Sequence, residues 1–157
     1  MELMKVIQSQ ECNELKNKMN NLFKTESFVS HSGSDLNWKI ECDALSDPEW
    51  FTISQMIMEV SQPFREAHGI PRGGVKLGNL LKQYGTKKEE DPICIIDDVL
   101  TTGGSMIEYA ETEFKNENVV GWVVFARTQL PQWVDALFRM PYIDEEGRIV
   151  KMIGINT

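Results

Sequence analysis

Residues 93–105 read Ile-Cys-Ile-Ile-Asp-Asp-Val-Leu-Thr-Thr-Gly-Gly-Ser, and no other stretch of the 157 residues restricts the fold as strongly. The apolar run Ile93 to Ile96 is short and suits a strand buried on both faces. It delivers two adjacent acids, Asp97 and Asp98, to its end. A loop of small hydroxyl and glycine residues, Thr101 to Ser105, follows, and Met106-Ile107-Glu108-Tyr109-Ala110 reads as the first turns of a helix. Strand, acid pair, compact loop and helix start together make an α/β unit. Open α/β sheets place ligands at the carboxyl ends of their strands. Free N–H groups at a helix start, joined by hydroxyls, favour a phosphate there. Capping such a turn would take one acid, not two acids and five small residues.

The rest of the chain alternates helix and strand patterns around this unit. Cys12, Leu15, Met19, Leu22 and Phe23 give helical spacing over Gln10 to Phe23. Phe28 to Cys42 holds a Ser-Gly turn and then alternation through Trp38, Ile40 and Cys42, the pattern of a strand. Asp47-Pro48 opens a helix running through Phe51, Ile53, Ile57 and Met58 toward Val60, with Pro at its first position. Lys76 to Tyr84 reads as a helix ended by Gly85, Thr86 to Asp91 as a charged connector, and Ile107 to Asn118 as an amphipathic helix. Val119 to Ala126 is a nearly continuous apolar run, as expected of a buried parallel strand. Trp133 to Phe138 suggests a short helix, and Gly147 separates two short strands. The alternation implies an α/β fold, with residues 1–157 forming a single domain large enough to bury a core without staples.

Composition narrows the function. Twenty-four acids against 16 Lys and Arg give a net charge of -8, with no basic stripe, which argues against a nucleic-acid partner. Cys12, Cys42 and Cys94 show no metal-ligand spacing, and Cys94 reads as a small core residue. No apolar run has the length of a membrane span, and the N-terminal residues lack the apolar core of a signal peptide, so a cytoplasmic protein is expected.

Residues 93–105 resemble the phosphoribosyl pyrophosphate motif of the type I phosphoribosyltransferases. The resemblance implies that Asp97 and Asp98 hold the ribose hydroxyls at the catalytic centre. It implies that Thr101, Thr102, Gly103, Gly104 and Ser105 wrap the 5'-phosphate. Upstream, Gly69-Ile70-Pro71-Arg72-Gly73-Gly74 resembles the family's pyrophosphate loop, which gives Pro71, Arg72, Gly73 and Gly74 that role, often with a non-proline cis peptide. His31-Ser32-Gly33 followed by Trp38 resembles the hood of the orotate phosphoribosyltransferases, placing a hood over about residues 24–46 with a contribution from the C-terminal segment. Trp38 would then stack on the base, and Arg127, after the strand Val119–Ala126, would contact it. His31 stands where that subfamily carries a base-binding lysine.

The implied fold is a reduced type I phosphoribosyltransferase core, mainly a parallel sheet flanked by helices, with a small hood. The implied activity is transfer of ribose 5-phosphate from phosphoribosyl pyrophosphate to a nucleobase, orotate or a similar pyrimidine, with release of pyrophosphate. Mg²⁺ would act through the pyrophosphate and the ribose hydroxyls, with no direct protein ligand assigned, and a homodimer is expected. The chain departs from the pattern in two places. The interval from Gly74 to Ile93 has room for one helix and a short connector, not for a catalytic lid, and Phe64 to His68 lacks the apolar character of the family's first strand. A missing lid keeps a second function open: a non-catalytic or regulatory protein that binds phosphoribosyl pyrophosphate or a nucleotide.

Overall fold

The computed structural model describes residues 22–24, 28–29, 35–36, 39–143 and 148–152. The chain divides into two compact units, residues 1–47 and 48–157. In the first, β1 (Phe23–Lys24) pairs antiparallel with β4 (Lys39–Ile40), and β2 (Phe28–Val29) pairs antiparallel with β3 (Asp35–Leu36). The Glu41 amide donates to the Leu22 carbonyl at 2.7 Å, extending the outer pair by a residue. A 3-10 turn over Cys42–Ala44 buries Cys42. The strand expected through Trp38, Ile40 and Cys42 is thus confirmed at Lys39–Ile40, while Cys42 belongs to the turn. Phe23 is not the end of a helix but the start of β1, where it faces Ile40 across the ladder. Residues 10–21, His31 and Trp38 lie outside the described residues.

In the second unit, α1 (Asp47–Val60) starts where Asp47-Pro48 predicts, and buries Trp50, Ile53, Ser54 and Ile57. Their spacing of three and four residues puts all four on one face. Beyond it, β5 (Glu66–Gly69), β6 (Ile93–Leu100), β7 (Val119–Ala126) and β8 (Val134–Arg139) form a four-stranded sheet in that order, every neighbouring pair parallel. α2 (Val75–Leu81), prolonged by a 3-10 turn over Lys82–Tyr84, joins β5 to β6, and α3 (Gly104–Glu113) joins β6 to β7. β9 (Pro141–Ile143) and β10 (Ile149–Met152) pair antiparallel on either side of Gly147. The architecture is α/β, a parallel sheet flanked by helices.

The two central strands, β6 and β7, carry much of the core. Ile93, Ile95 and Ile96 are at most 2% exposed, and each contributes roughly 1.5–3 kcal/mol relative to exposure. Successive side chains of a strand point to opposite faces. Ile93 and Ile95 pack with Met106, Val123 and Val134, so α3 covers that face. On the other, Trp122 donates its indole N–H to the Ser61 hydroxyl at 3.2 Å, just past the end of α1. Cys94 is a buried free thiol, and burial pushes its pKa up to about 12, the behaviour of an inert core residue. No helix among the described residues is long and apolar enough to cross a membrane.

Three further sequence expectations, all in the second unit, are corrected. Trp133 to Phe138 is not helical, because Val134 begins β8. Val134 pairs with Gly121, so residues 127–133 must return along β7 from Ala126 to Gly121, about 17 Å at strand rise. The return ends in a single turn, closed by the Val134 amide on the Pro131 carbonyl at 3.0 Å, and the Gly121 amide turns the chain into the strand by donating to the Trp133 carbonyl at 2.9 Å. Phe64 to His68 does supply a strand. As an edge strand, β5 buries Ala67 while Glu66 and His68 stay half-buried, their side chains 3.0 Å apart. Finally, α3 stops at Glu113 rather than Asn118, because Asn116 turns the chain with a φ of 69°.

Candidate functional site

β6 positions the acid pair. Asp98 donates its backbone N–H to Asp97 Oδ1 at 2.9 Å, and Val99 donates its own to Asp98 Oδ1 at 2.7 Å. Each carboxylate is therefore held by the amide of the residue that follows it. Asp97 is pushed up to about 8, first by burial and then by the neighbouring Asp98 charge, with the Asp98 amide pulling the other way. A carboxyl in this position at the end of a sheet strand resists ionisation until a cationic or hydrogen-bond-donating partner reaches it.

The glycine-rich loop after β5 rests on this pair. The Ile70 amide donates to the Ile96 carbonyl at 2.8 Å, one step beyond the β5–β6 ladder, and the Gly74 amide closes the turn onto the Ile70 carbonyl at 2.9 Å. The peptide between Pro71 and Arg72 is cis, as the resemblance implies. Backbone atoms exclude a side chain from Gly74, and a side chain at Gly73 requires the Asp98 carboxylate to move. A Cβ on Gly74 would meet the Ile96 carbonyl and lie 3.0 Å from Asp97 Cα, and one on Gly73 would lie 2.5 Å from the carboxylate carbon of Asp98. Pro71 and Arg72 are exposed.

Sequence reading passed over a second glycine contact that fixes the loop. A Cβ on Gly78 in α2 would lie 2.6 Å from the Gly69 nitrogen, so helix and strand touch backbone to backbone. The spacing Gly69, Gly74, Gly78 was its visible trace.

The loop Thr101–Ser105 leaves the same end of β6. Gly103 is buried with a φ of 85°, and α3 begins at Gly104, whose amide lies 3.4 Å from the Thr102 hydroxyl oxygen. Thr102, Gly104 and Ser105 are exposed. Arg127 follows β7 and donates its backbone N–H to the Leu100 carbonyl at 2.8 Å. It is 8% exposed, and burial lowers the pKa of its guanidinium. The buried hydroxyl of the adjacent Thr128 has no hydrogen-bond partner among the described residues. Pro71 to Gly74, Asp97, Asp98, Thr101 to Ser105 and Arg127 thus gather at the carboxyl end of the sheet. Trp38 lies outside the described residues.

The connector that occupies the place of a lid is at the other end. Thr86 donates its amide to the Phe64 carbonyl at 2.9 Å, Lys87 to Arg65 at 3.2 Å, and Arg65 in turn to Pro92 at 2.8 Å. These bonds tie it to the starts of β5 and β6. The stretch from Ile93 to Asp97, about 13 Å of strand, separates it from the acids.

Gly103 offers a test of the loop geometry. Its left-handed backbone suits glycine and strains a β-branched residue. Gly103→Val is expected to abolish ribose 5-phosphate binding by reshaping the loop; calorimetric titration showing native affinity would place the phosphate elsewhere.

No protein-family model and no curated protein matches the chain. Solved structures do. UMP synthase of Leishmania donovani aligns at a TM-score of 0.60 and 16% identity, over 80% of this chain and 35% of that one. Orotate phosphoribosyltransferase from Aeropyrum pernix aligns at 0.56 and 20% identity, over 73% and 80%. The Mycobacterium tuberculosis orotate phosphoribosyltransferase in complex with inorganic phosphate aligns at 0.56 and 11% identity, over 80% and 93%. This chain therefore spans about a third of the UMP synthase and most of the other two. At these identities the likeness establishes the fold, which is that of the type I phosphoribosyltransferases.

Proposed function

We propose that the chain binds phosphoribosyl pyrophosphate at the carboxyl end of its sheet and transfers ribose 5-phosphate to a nucleobase, orotate or a similar pyrimidine, releasing pyrophosphate. The observation that carries this reading is the convergence of the Pro71–Gly74 loop, the Asp97–Asp98 pair and the Thr101–Ser105 loop around one strand end. A substrate with a phosphate at one end, a ribose in the middle and a diphosphate at the other suits that order.

In this reading the 5'-phosphate lies in the Thr101–Ser105 loop, where hydroxyls and amides at the start of α3 meet it. Asp97 and Asp98 accept hydrogen bonds from the ribose hydroxyls, which fixes the sugar while the C1–oxygen bond to pyrophosphate breaks. The carboxylates also face the positive charge that develops on the ribose. Arg72 lies beside the departing pyrophosphate and offsets its charge with a forked guanidinium. Arg127 contacts the base, and Trp38 keeps the stacking role that the resemblance implies. Holding the reactants in line does most of the work, and no nucleophilic side chain is required.

The donor set also suits Mg²⁺. No group of three metal-ligating side chains exists among the described residues, whereas two adjacent carboxylates beside a phosphate-rich substrate offer the oxygen ligands this ion takes. Bound there, Mg²⁺ would supply charge neutralisation to the leaving pyrophosphate. The reading carries with it a cytoplasmic homodimer.

The position of the Thr86–Asp91 connector favours a second function, binding without transfer. With that segment tied to the amino end of the sheet, it does not reach over the acids to exclude water, the service a lid performs. A pyrophosphate-release screen over common bases, with Mg²⁺, separates the two. Release stimulated by one base is the expected result; binding of phosphoribosyl pyrophosphate with no release under any base would leave the binding protein.

A further inference from the structure

Thr128 holds a polar group that the free chain leaves unsatisfied. Its hydroxyl oxygen is shut off from solvent yet has no hydrogen-bond partner among the described residues. A hydroxyl in that state destabilises the fold, and an apolar side chain of the same shape would not. The residue stands in a segment that backs the Thr101–Ser105 loop at two points. On one side of Thr128, the Arg127 amide donates to the Leu100 carbonyl at 2.8 Å. On the other, the Pro131 ring lies 3.6 Å from the position a Cβ on Gly103 would take. Gly103 is buried there, whereas Thr102, Gly104 and Ser105 are exposed, so the segment lies behind the open side of the loop.

The loop contains the acceptors that the hydroxyl lacks. No described backbone amide donates to the Thr101 or Thr102 carbonyl, while the Gly103 carbonyl accepts from the Ile107 amide at 3.1 Å. In a planar trans peptide unit the N–H and C=O groups point in opposite directions. Loop amides that turn onto a phosphate at the open side therefore turn the carbonyls of the same peptide units toward the backing segment.

We infer that Thr128 is a positioning residue for the phosphate loop, its hydroxyl donating to the Thr101 or Thr102 carbonyl once a phosphate monoester occupies the loop. The inference rests on the reading of this loop as the 5'-phosphate site. Thr128 itself touches neither phosphate nor sugar. Binding relieves a destabilisation present in the free chain, so the hydroxyl sets the stability of the free chain against its affinity for phosphate.

The test is calorimetric titration of ribose 5-phosphate into the full chain and into Thr128→Val and Thr128→Ser, with urea denaturation of each protein without ligand. Thr128→Val removes the hydroxyl and is expected to bind about tenfold more weakly, with a urea midpoint equal to or above that of the parent. Thr128→Ser retains the hydroxyl and should bind within about twofold of the parent. A merely structural role would lower midpoint and affinity together in Thr128→Val, and that result would overturn the inference. Parent affinity in Thr128→Val would overturn it too, as would a loss in Thr128→Ser equal to that in Thr128→Val, which would assign the effect to the methyl group. In each of these cases the site reading stands, because the parent binds ribose 5-phosphate. A parent that does not bind it contradicts the site reading, and this inference falls with it.

Discussion

Asp97→Asn is expected to give a protein more stable than its parent at pH 8.5 that holds phosphoribosyl pyrophosphate roughly 100-fold less tightly. The two effects share one cause. Folding raises the pKa of Asp97 from 3.8 to about 8, through burial and the Asp98 charge. The folded chain therefore binds this proton more tightly than the unfolded chain does, and stability falls as pH rises between about 4 and about 8. Asparagine keeps the shape of the side chain and removes the titration. The variant should match the parent near pH 4 and exceed it by about 1 kcal/mol or more at pH 8.5, since each tenfold difference in proton affinity between the folded and unfolded chain is worth about 1.4 kcal/mol. Its cost is function. Hydrogen bonds to a charged acceptor contribute about 1.5–3 kcal/mol, so affinity for phosphoribosyl pyrophosphate should drop roughly 100-fold. Urea denaturation at the two pH values and calorimetric titration measure both. A variant equally stable as the parent at pH 8.5 would mean that Asp97 is not held in a destabilised state.

Gly74→Ala should damage the fold itself. The new methyl group would meet the Ile96 carbonyl and lie 2.8 Å from the Ile70 nitrogen and 3.0 Å from Asp97 Cα. All three are backbone atoms of the loop and of the central strand, and none can rotate aside. Overpacking of this kind costs about 3 kcal/mol. Because the Gly74 turn sets the distance between loop and acid pair, pyrophosphate binding should be lost with it. Gly104→Ala is the matched control. Its methyl group would find only the Thr102 hydroxyl at 3.6 Å, and Gly104 opens α3, where alanine favours helix by up to about 1 kcal/mol. Urea midpoints should move in opposite directions for the two alanines. A neutral Gly74→Ala would show that the loop has slack against β6.

The elements legible in the sequence were those whose burial is written locally. Ile93 to Ile96 and Val119 to Ala126 are apolar runs because both faces of a central parallel strand are covered. The helix from Asp47 shows in its Asp-Pro start and in Ile53 and Ile57, whereas Phe51, read onto the same face, is exposed and Trp50 takes its place in the core. The misread elements, β5 and β8, stand at the two ends of the four-stranded sheet. An edge strand has less to bury, so Glu66 and His68, or Asp135 and Arg139, dilute the signal. For Trp133 to Phe138 the deciding constraint was the distance residues 127–133 must cover, which no local pattern contains. The candidate site was legible residue by residue, since Asp97, Asp98 and the two small-residue loops are contiguous motifs. Their mutual contact was not. That Gly73 abuts the Asp98 carboxylate, or that Gly78 lies against Gly69, depends on residues brought together by the sheet register. The amino-end anchoring of the connector was likewise invisible, because the charge run Lys87 to Asp91 reads the same wherever it is tied.

The central claim is that the acid pair and the two loops form one binding site for phosphoribosyl pyrophosphate. Calorimetric titration of that compound with Mg²⁺ into the parent chain, and into the double variant Asp97→Asn with Asp98→Asn, tests it most directly. Saturable one-to-one binding is expected in the parent and none in the variant, with both proteins folded by circular dichroism. Equal affinity in the two, or no binding to the parent, would contradict it.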